Sequence, residues 1–295
     1  QSGGADTSTG TLTMNAGSTY ALSGGYENYY SSYHSKLSTT AINNAGTISQ
    51  TGGRASAGTL TINDGGLYDQ SEGNNSATFL VIDSGGTYQL SGPDYDGYPD
   101  STYSKLTSSN QDISGSMIQS GGYNGVSNTL NILSGGSYDM SGGTLSVGNV
   151  TSAGTFNYTG GELRLTNSSL TVDSTGLLGD TVTIGAGQTF SAVSQTVANL
   201  GTITQTGGMN IANTTLTIDA GGIYNLSGGI IRATDVVNDG ILNYTGGSVQ
   251  LTNADLNVDS AGLLGDSIII TSADAFQANN QTVGTAAASS GSVTQ

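Results

Sequence analysis

An all-β, three-sided parallel β-solenoid is the fold this sequence predicts, and three observations predict it. Short runs of Thr, Val, Ile, Leu and Tyr alternate with polar residues between Gly-Gly and Asn/Asp turns, a strand-and-turn pattern. The motif Gln-Ser/Thr-Gly-Gly recurs at Gln1, Gln50, Gln119 and Gln205, and Gln295 stands where the next copy would begin. Strand starts such as Leu130, Val150 and Leu170 are 20 residues apart, as are Leu216, Val236 and Leu256. A chain that grows by whole coils is a solenoid, in which each coil touches only its neighbours.

Composition supports an ordered β chain. Charged residues make up 9%, far below the usual quarter, while Gly supplies 47 of 295 residues and Pro only 2. Disordered chains are charged and poor in β-branched residues, which this one is not. The net charge of −16, from 21 acidic and 5 basic residues, argues against a nucleic-acid partner, whose binding needs Lys and Arg to displace counterions. It also disfavours anionic membrane surfaces. Absence of Cys removes disulfide and thiol chemistry. No apolar run approaches the ~20 residues of a membrane span, so membrane insertion is not expected. No signal peptide is present, so export implies one already removed.

The repeats set the element order. Residues 128–180 align with 214–266 at a constant offset of 86, with Leu130, Gly135, Tyr138 and Gly142 meeting Leu216, Gly221, Tyr224 and Gly228. Leu12, Tyr20 and Leu22 match Leu80, Tyr88 and Leu90 at offset 68, and Lys36-Leu37 and Gln50 match Lys105-Leu106 and Gln119 at offset 69. One continuous solenoid over 1–295 follows, in cycles 1–49, 50–118, 119–204 and 205–295. Strand starts near Leu12, Ile42, Leu60, Leu80, Ile113, Leu130, Val150, Leu170, Val197, Leu216, Val236, Leu256 and Val283 give about 13 coils of about 20 residues.

Residues 216–235 show one coil. Leu216 and Ile218 alternate with polar neighbours, Asp219-Ala-Gly-Gly turns the chain, and Ile223-Tyr-Asn-Leu226 forms a second strand. Ser227-Gly-Gly turns again, and Ile230-Ile-Arg-Ala233 completes a third side. Alternation sends every second side chain inward. That stacks Tyr20 and Leu22, Tyr88 and Leu90, Tyr138 and Met140, Phe156 and Tyr158, Tyr224 and Leu226, and Leu242 and Tyr244 into an interior ladder. The Asn or Asp after the first strand (Asn15, Asn63, Asp83, Asp173, Asp219, Asp259) suits a turn residue that tolerates the left-handed conformation.

Two loop insertions, 26–41 and 93–111, break the pattern. They hold both prolines, His34, both lysines and seven tyrosines: Tyr26, Tyr29, Tyr30, Tyr33, Tyr95, Tyr98 and Tyr103. Exposed Tyr among Asn, Asp and Ser makes a contact surface for carbohydrate or protein. Alternatively the loops fold over one face of the solenoid or pack on a neighbouring subunit.

Candidate chemistry is sparse. Glycan-cleaving sites need clustered carboxylates or carboxylates beside cations, and the only cations are Lys36, Lys105, Arg54, Arg164 and Arg232. The expectation is therefore no enzyme and no cofactor. Asp83, Asp173, Asp219 and Asp259 could form an acidic column for Ca²⁺, which takes oxygen ligands, although the Gly-Gly-x-Gly-x-Asp repeat is missing and simple turns account for them. His34 stands alone, without companions for a site. Thr-x-Thr at Thr11/Thr13, Thr59/Thr61 and Thr215/Thr217 is interrupted by Phe79/Val81 and Asp255/Asn257, which breaks the flat array an ice-binding face requires. Sequons such as Asn157-Tyr-Thr and Asn243-Tyr-Thr fit a surface chain.

The pattern Thr-Leu-Thr-Ile-x-x-Gly-Gly-x-Tyr-x-Leu-Ser-Gly-Gly, repeated over nearly the whole chain, resembles the β-solenoid repeats of bacterial autotransporter passengers and filamentous-haemagglutinin-type adhesins. That resemblance implies export, a right-handed parallel β-helix and an extracellular or cell-surface role. The chain starts and stops in the same phase of the coil, and uncapped coils expose unpaired backbone groups. Head-to-tail stacking of copies is then expected at Gln1, Ser2, Gly3, Gly4, Val293, Thr294 and Gln295, giving a filament. The expected function is a structural subunit of an extracellular fibre, sheath or biofilm matrix, with itself as partner. The second expectation is an adhesin passenger whose Tyr-rich loops bind a glycan or surface protein.

Overall fold

A computed structural model describes residues 4–24, 35–94, 103–258, 263, 267–269, 274–283 and 292–294. The fold is an all-β solenoid of parallel strands, with no helix among the described residues. It comprises about ten turns, fewer than the about thirteen expected. Near the C-terminal end the strand pairs Leu256–Val258 with Gln281–Val283, and Ser267–Ile269 with Ser292–Thr294, stand as separate two-stranded sheets. The chain divides into two compact units, Gln1–Arg164 and Leu165–Gln295.

In the first unit, the first side stacks Leu12, Ile42, Leu60, Leu80, Gln111, Leu130 and Val150 in register. The second side stacks Tyr20, Ile48, Tyr68, Tyr88, Met117, Tyr138 and Phe156. The third stacks Asp6, Leu37, Ala55, Asn75, Leu106, Asn124 and Leu145. In the second unit the corresponding columns are Leu170, Gln195, Leu216 and Val236, then Val182, Ile203, Tyr224 and Leu242, then Phe190, Asn210, Ile231, Val249 and Phe276.

The three corners differ, where three tight turns were expected. Strands Thr47–Ile62, Leu67–Ile82, Ser116–Ile132, Ser137–Ser152, Thr202–Ile218 and Ile223–Asn238 each run round two corners while staying paired. The second corner is a register shift at the Gly-Gly pair, as at Gln50/Thr51 and Thr51/Arg54. The first corner is a closed turn, in which Gly66 N donates to Asn63 O at 2.9 Å, Gly86 N to Asp83 O at 2.8 Å and Gly222 N to Asp219 O at 2.8 Å. Its left-handed residue is Gly65, Gly85 or Gly221, two places after the Asn or Asp. The acidic or amide residue thus opens the turn, which is where Asp and Asn are favoured, and does not take the left-handed position assigned to it from sequence.

Two further expectations are corrected. The strands near Ile113, Val197 and Val283 begin two residues earlier in register, at Gln111, Gln195 and Gln281. At Gln111 and Gln195 a buried polar residue fills the first inward position, so only the second one looks apolar in sequence, whereas Gln281 is exposed. Both insertions are also shorter than expected, because Lys36–Asn44 and Ser104–Ile113 are ladder strands.

The interior is the expected aromatic and aliphatic ladder. Tyr68, Tyr88, Tyr138 and Tyr224 are fully buried, with Leu22, Leu90 and Leu226 beside them. Tyr68 and Tyr88 stack face to face with centroids 4.8 Å apart, and Tyr138 lies 5.4 Å from Phe156. Each fully buried aliphatic or aromatic side chain contributes ~1.5–3 kcal/mol before conformational entropy is subtracted.

Candidate functional site

Among the described residues, the motif glutamines Gln50, Gln119 and Gln205 anchor an extended buried polar network. Gln50, Gln119 and Gln205 lie two residues after inward-facing Ile48, Met117 and Ile203 on one strand, so alternation turns them inward. All three are completely buried, as is Gln70, which occupies the same rung position without the motif. A buried primary amide without partners is costly, and each of these is satisfied.

Gln119 shows the pattern. Its Nε2 donates to Gly122 O at 3.1 Å, at its own corner, and to Thr144 O of the next coil at 3.0 Å. Its Oε1 accepts from Tyr138 O–H at 2.5 Å, and that phenol oxygen accepts from Asn124 Nδ2 at 2.9 Å. Asn124 also exchanges two amide hydrogen bonds with Gln111, at 2.8 and 3.2 Å. The same triad recurs as Gln70–Tyr88–Asn75 and, in the second unit, as Gln205–Tyr224–Asn210. Gln50 pairs with Tyr68 at 2.7 Å, with Ala55 where the others have Asn. Every triad links two successive coils through side chains as well as backbone.

Burial holds these phenols neutral. Desolvation pushes Tyr68, Tyr88, Tyr138 and Tyr224 well above the usual tyrosine range, and the amide donors of Asn75, Asn124 and Asn210 pull Tyr88, Tyr138 and Tyr224 only part of the way back. Such groups are fixed proton donors within the fold and have no access to substrate. Tyr244, with the Asp274 carboxylate beside it, is pushed up to about 12, chiefly by desolvation.

The residues singled out from sequence fall elsewhere. Asp83 and Asp219 open closed turns. Asp173 accepts from Thr175 N at 2.7 Å and Thr175 Oγ1 at 2.8 Å, bonds that hold its carboxyl below the usual range. Asp259 lies outside the described residues. Among the described residues no three acidic, His or Cys side chains come together in a metal-sized group. Of the expected junction, Gln1, Ser2, Gly3 and Gln295 lie outside the described residues, Gly4 is exposed, and Val293 and Thr294 belong to Ser292–Thr294. Tyr26, Tyr29, Tyr30, Tyr33, His34, Tyr95 and Tyr98 also lie outside them. Tyr103 is described, and its carbonyl accepts from Gly73 N at 2.7 Å.

The buried triads were missed in sequence, where the glutamines served only as markers of phase. Their signal was present: Gln119, Asn124 and Tyr138 have the same spacing as Gln205, Asn210 and Tyr224, and Gln shares its parity with the preceding inward residue. Compared with known proteins, the chain matches no family model, no curated protein and no solved structure.

Proposed function

We propose that this protein is a non-enzymatic structural subunit of an extracellular or cell-surface fibre, sheath or matrix, assembled by stacking coil on coil, head to tail. The observation that supports it is the triad, present in the same geometry in both units. A coil that presents Gln together with Asn offers a complementary seat for a coil that brings Tyr. Coil-on-coil association is therefore specified by directional bonds as well as by apolar area. Gln1, Asp6 and Tyr20 repeat the spacing of Gln119, Asn124 and Tyr138, with Asp in the Asn position. Strands Ala5–Thr7, Thr11–Met14 and Thr19–Leu22 pair with Lys36–Asn44 and Thr47–Ile62 on one side. In this reading a second copy adds its last coil to their other side, a non-closing contact that yields filaments.

Electron microscopy and analytical ultracentrifugation of the purified chain across a concentration series test this. Filaments, or oligomers growing with concentration, are expected. Monodisperse monomers at high concentration would sink the proposal.

A further inference from the structure

The first coil carries the triad in an altered form. Asn75, Asn124 and Asn210 are buried and donate to the phenol oxygens of Tyr88, Tyr138 and Tyr224. Asp6 stands in the same column: it pairs with Leu37, and the register runs on through Ala55, Asn75 and Leu106 to Asn124. Its phenol is Tyr20, and here the bond is reversed, with Tyr20 O–H donating to Asp6 Oδ2 at 3.4 Å. A carboxylate only accepts, whereas a carboxylic acid also donates one O–H. Ionised Asp6 therefore cannot make the bond that Asn124 makes, and the neutral acid can.

Asp6 differs from its equivalents in a second way. All three residues of Ala5–Thr7 are exposed, and among the described residues this strand pairs on one side only, with Lys36–Asn44. The strands around Asp6 supply no inward cation to hold a buried charge. Among the described residues, Thr11–Met14 has no ionisable side chain, Thr19–Leu22 has Tyr20, and Lys36–Asn44 has Lys36, with Arg54 one coil further on. Lys36 and Arg54 share the outward parity, whereas Asp6 shares the inward parity of the buried Leu37. Tyr20 brings no positive charge, and desolvation followed by the Asp6 charge pushes its phenol above the usual tyrosine range.

We propose that Asp6 makes the stacking of copies proton-linked: a second copy whose last coil covers Asp6 seats on the neutral carboxyl, so each junction takes up one proton. This rests on the head-to-tail reading and adds its regulation. A covering coil puts Asp6 where Asn124 lies, and burying an unpaired carboxylate costs far more than burying the acid. As the acid, Asp6 donates to the Tyr20 oxygen and releases the phenol O–H for a glutamine, as Tyr138 serves Gln119. Because the junction holds the protonated form, stacking is strongest at acid pH and weakens as the pH rises. The remaining acidic residues repel copies in the same direction, so the Asp6 contribution is read against a variant that keeps them all.

The test compares critical concentrations for assembly of the full chain and of Asp6→Asn, by sedimentation and electron microscopy. Measurements run from about pH 5 to about pH 7, above the ordinary carboxylate range. The ratio of wild-type to variant critical concentration should rise at least about tenfold across that interval. Added salt screens the general repulsion and should leave this ratio in place. Calorimetry of assembly in two buffers of different ionisation enthalpy should show about one proton taken up per wild-type junction at the acid end and none for the variant. Asn already fills this place at Asn75, Asn124 and Asn210, so Asp6→Asn should melt no earlier than wild type. Should it melt early, proton uptake by the wild-type chain carries the test. Equal pH dependence in both chains, absence of proton uptake, or weaker assembly of the variant at every pH would overturn the inference and leave stacking itself standing. Assembly of neither chain at any pH would overturn the stacking reading and this inference with it.

Discussion

Tyr138→Phe removes a single hydroxyl and tests whether the buried triads hold the coils together. The ring remains, so packing against Phe156 is kept. Gln119 Oε1 loses the phenol that donates to it, while Asn124 Nδ2 retains Gln111 Oε1 at 3.2 Å as an acceptor. An orphaned buried acceptor costs ~1–3 kcal/mol and the lost amide–phenol bond about 1 more, so the variant should be destabilised by ~2–4 kcal/mol. Stacked coils unfold piecewise, so a local probe is better than a global midpoint. Native-state hydrogen exchange of amides in Ser116–Ile132 and Ser137–Ser152 should accelerate roughly 30- to 1,000-fold. Tyr20→Phe is the internal control. Its hydroxyl meets Asp6 Oδ2 at 3.4 Å at an exposed position, and the change should stay within ~0.5 kcal/mol. Gln119→Met strands the Tyr138 O–H donor, so Gln119→Met/Tyr138→Phe should cost less than the sum of its parts by ~1–3 kcal/mol. Additive effects, or equal effects of the Tyr138 and Tyr20 changes, would refute the reasoning.

Other outcomes follow from the corners and the phenols. Gly135→Ala should cost ~1 kcal/mol by urea melting, from its positive φ of 85° alone, since an added Cβ there meets nothing. Gly136→Ala should cost clearly more, because its Cβ would lie 2.1 Å from the backbone oxygen of Ile113. Leu200→Gly should raise stability by ~0.5–1 kcal/mol: Leu200 sits at φ 70° where the equivalent turns have Gly, and it is 80% exposed. Alkaline pH should unfold the protein. The folded phenols of Tyr68, Tyr88, Tyr138 and Tyr224 hold their protons above the unfolded value of about 10, so their stabilisation is complete below that pH and is lost as pH rises beyond it. Tyrosinate absorbance should rise in two stages, exposed phenols first and buried ones with loss of circular dichroism. A single titration near pH 10 with the fold intact would contradict this.

Strand placement was legible because alternation and Gly-Gly punctuation are local signals. Leu60, Leu80 and Leu130 align where their spacing puts them. Polar residues in apolar positions were harder to read. Gln111 and Gln195 occupy inward slots, and a reading that equates inward with hydrophobic passes over them to Ile113 and Val197. Lys36 and Lys105 were assigned to insertions because the flanking segments are long and polar, yet both stand on ladder strands. Their alignment with Arg54 is invisible in sequence, since Arg54 precedes Lys105 by one uninterrupted coil and one carrying an insertion.

A solenoid core built only of Leu, Ile and Val has a weakness that the triads address. Its columns are nearly interchangeable, so a coil could stack on the wrong neighbour at little cost in buried area. Placing Gln70, Gln119 and Gln205 opposite Tyr88, Tyr138 and Tyr224 removes that degeneracy. A coil displaced by one rung would set a Gln against an apolar side chain and leave a phenol and an Asn amide unpaired. Each unpaired group costs ~1–3 kcal/mol in a buried site. Three misplaced polar groups thus outweigh the packing gain of one aliphatic residue, ~1.5–3 kcal/mol. The polar triads therefore act as register pins, in the manner of a buried Asn in a coiled coil. The same arithmetic applies to any contact between copies: only a coil bringing the complementary half of the triad can seat without leaving a buried polar group unsatisfied.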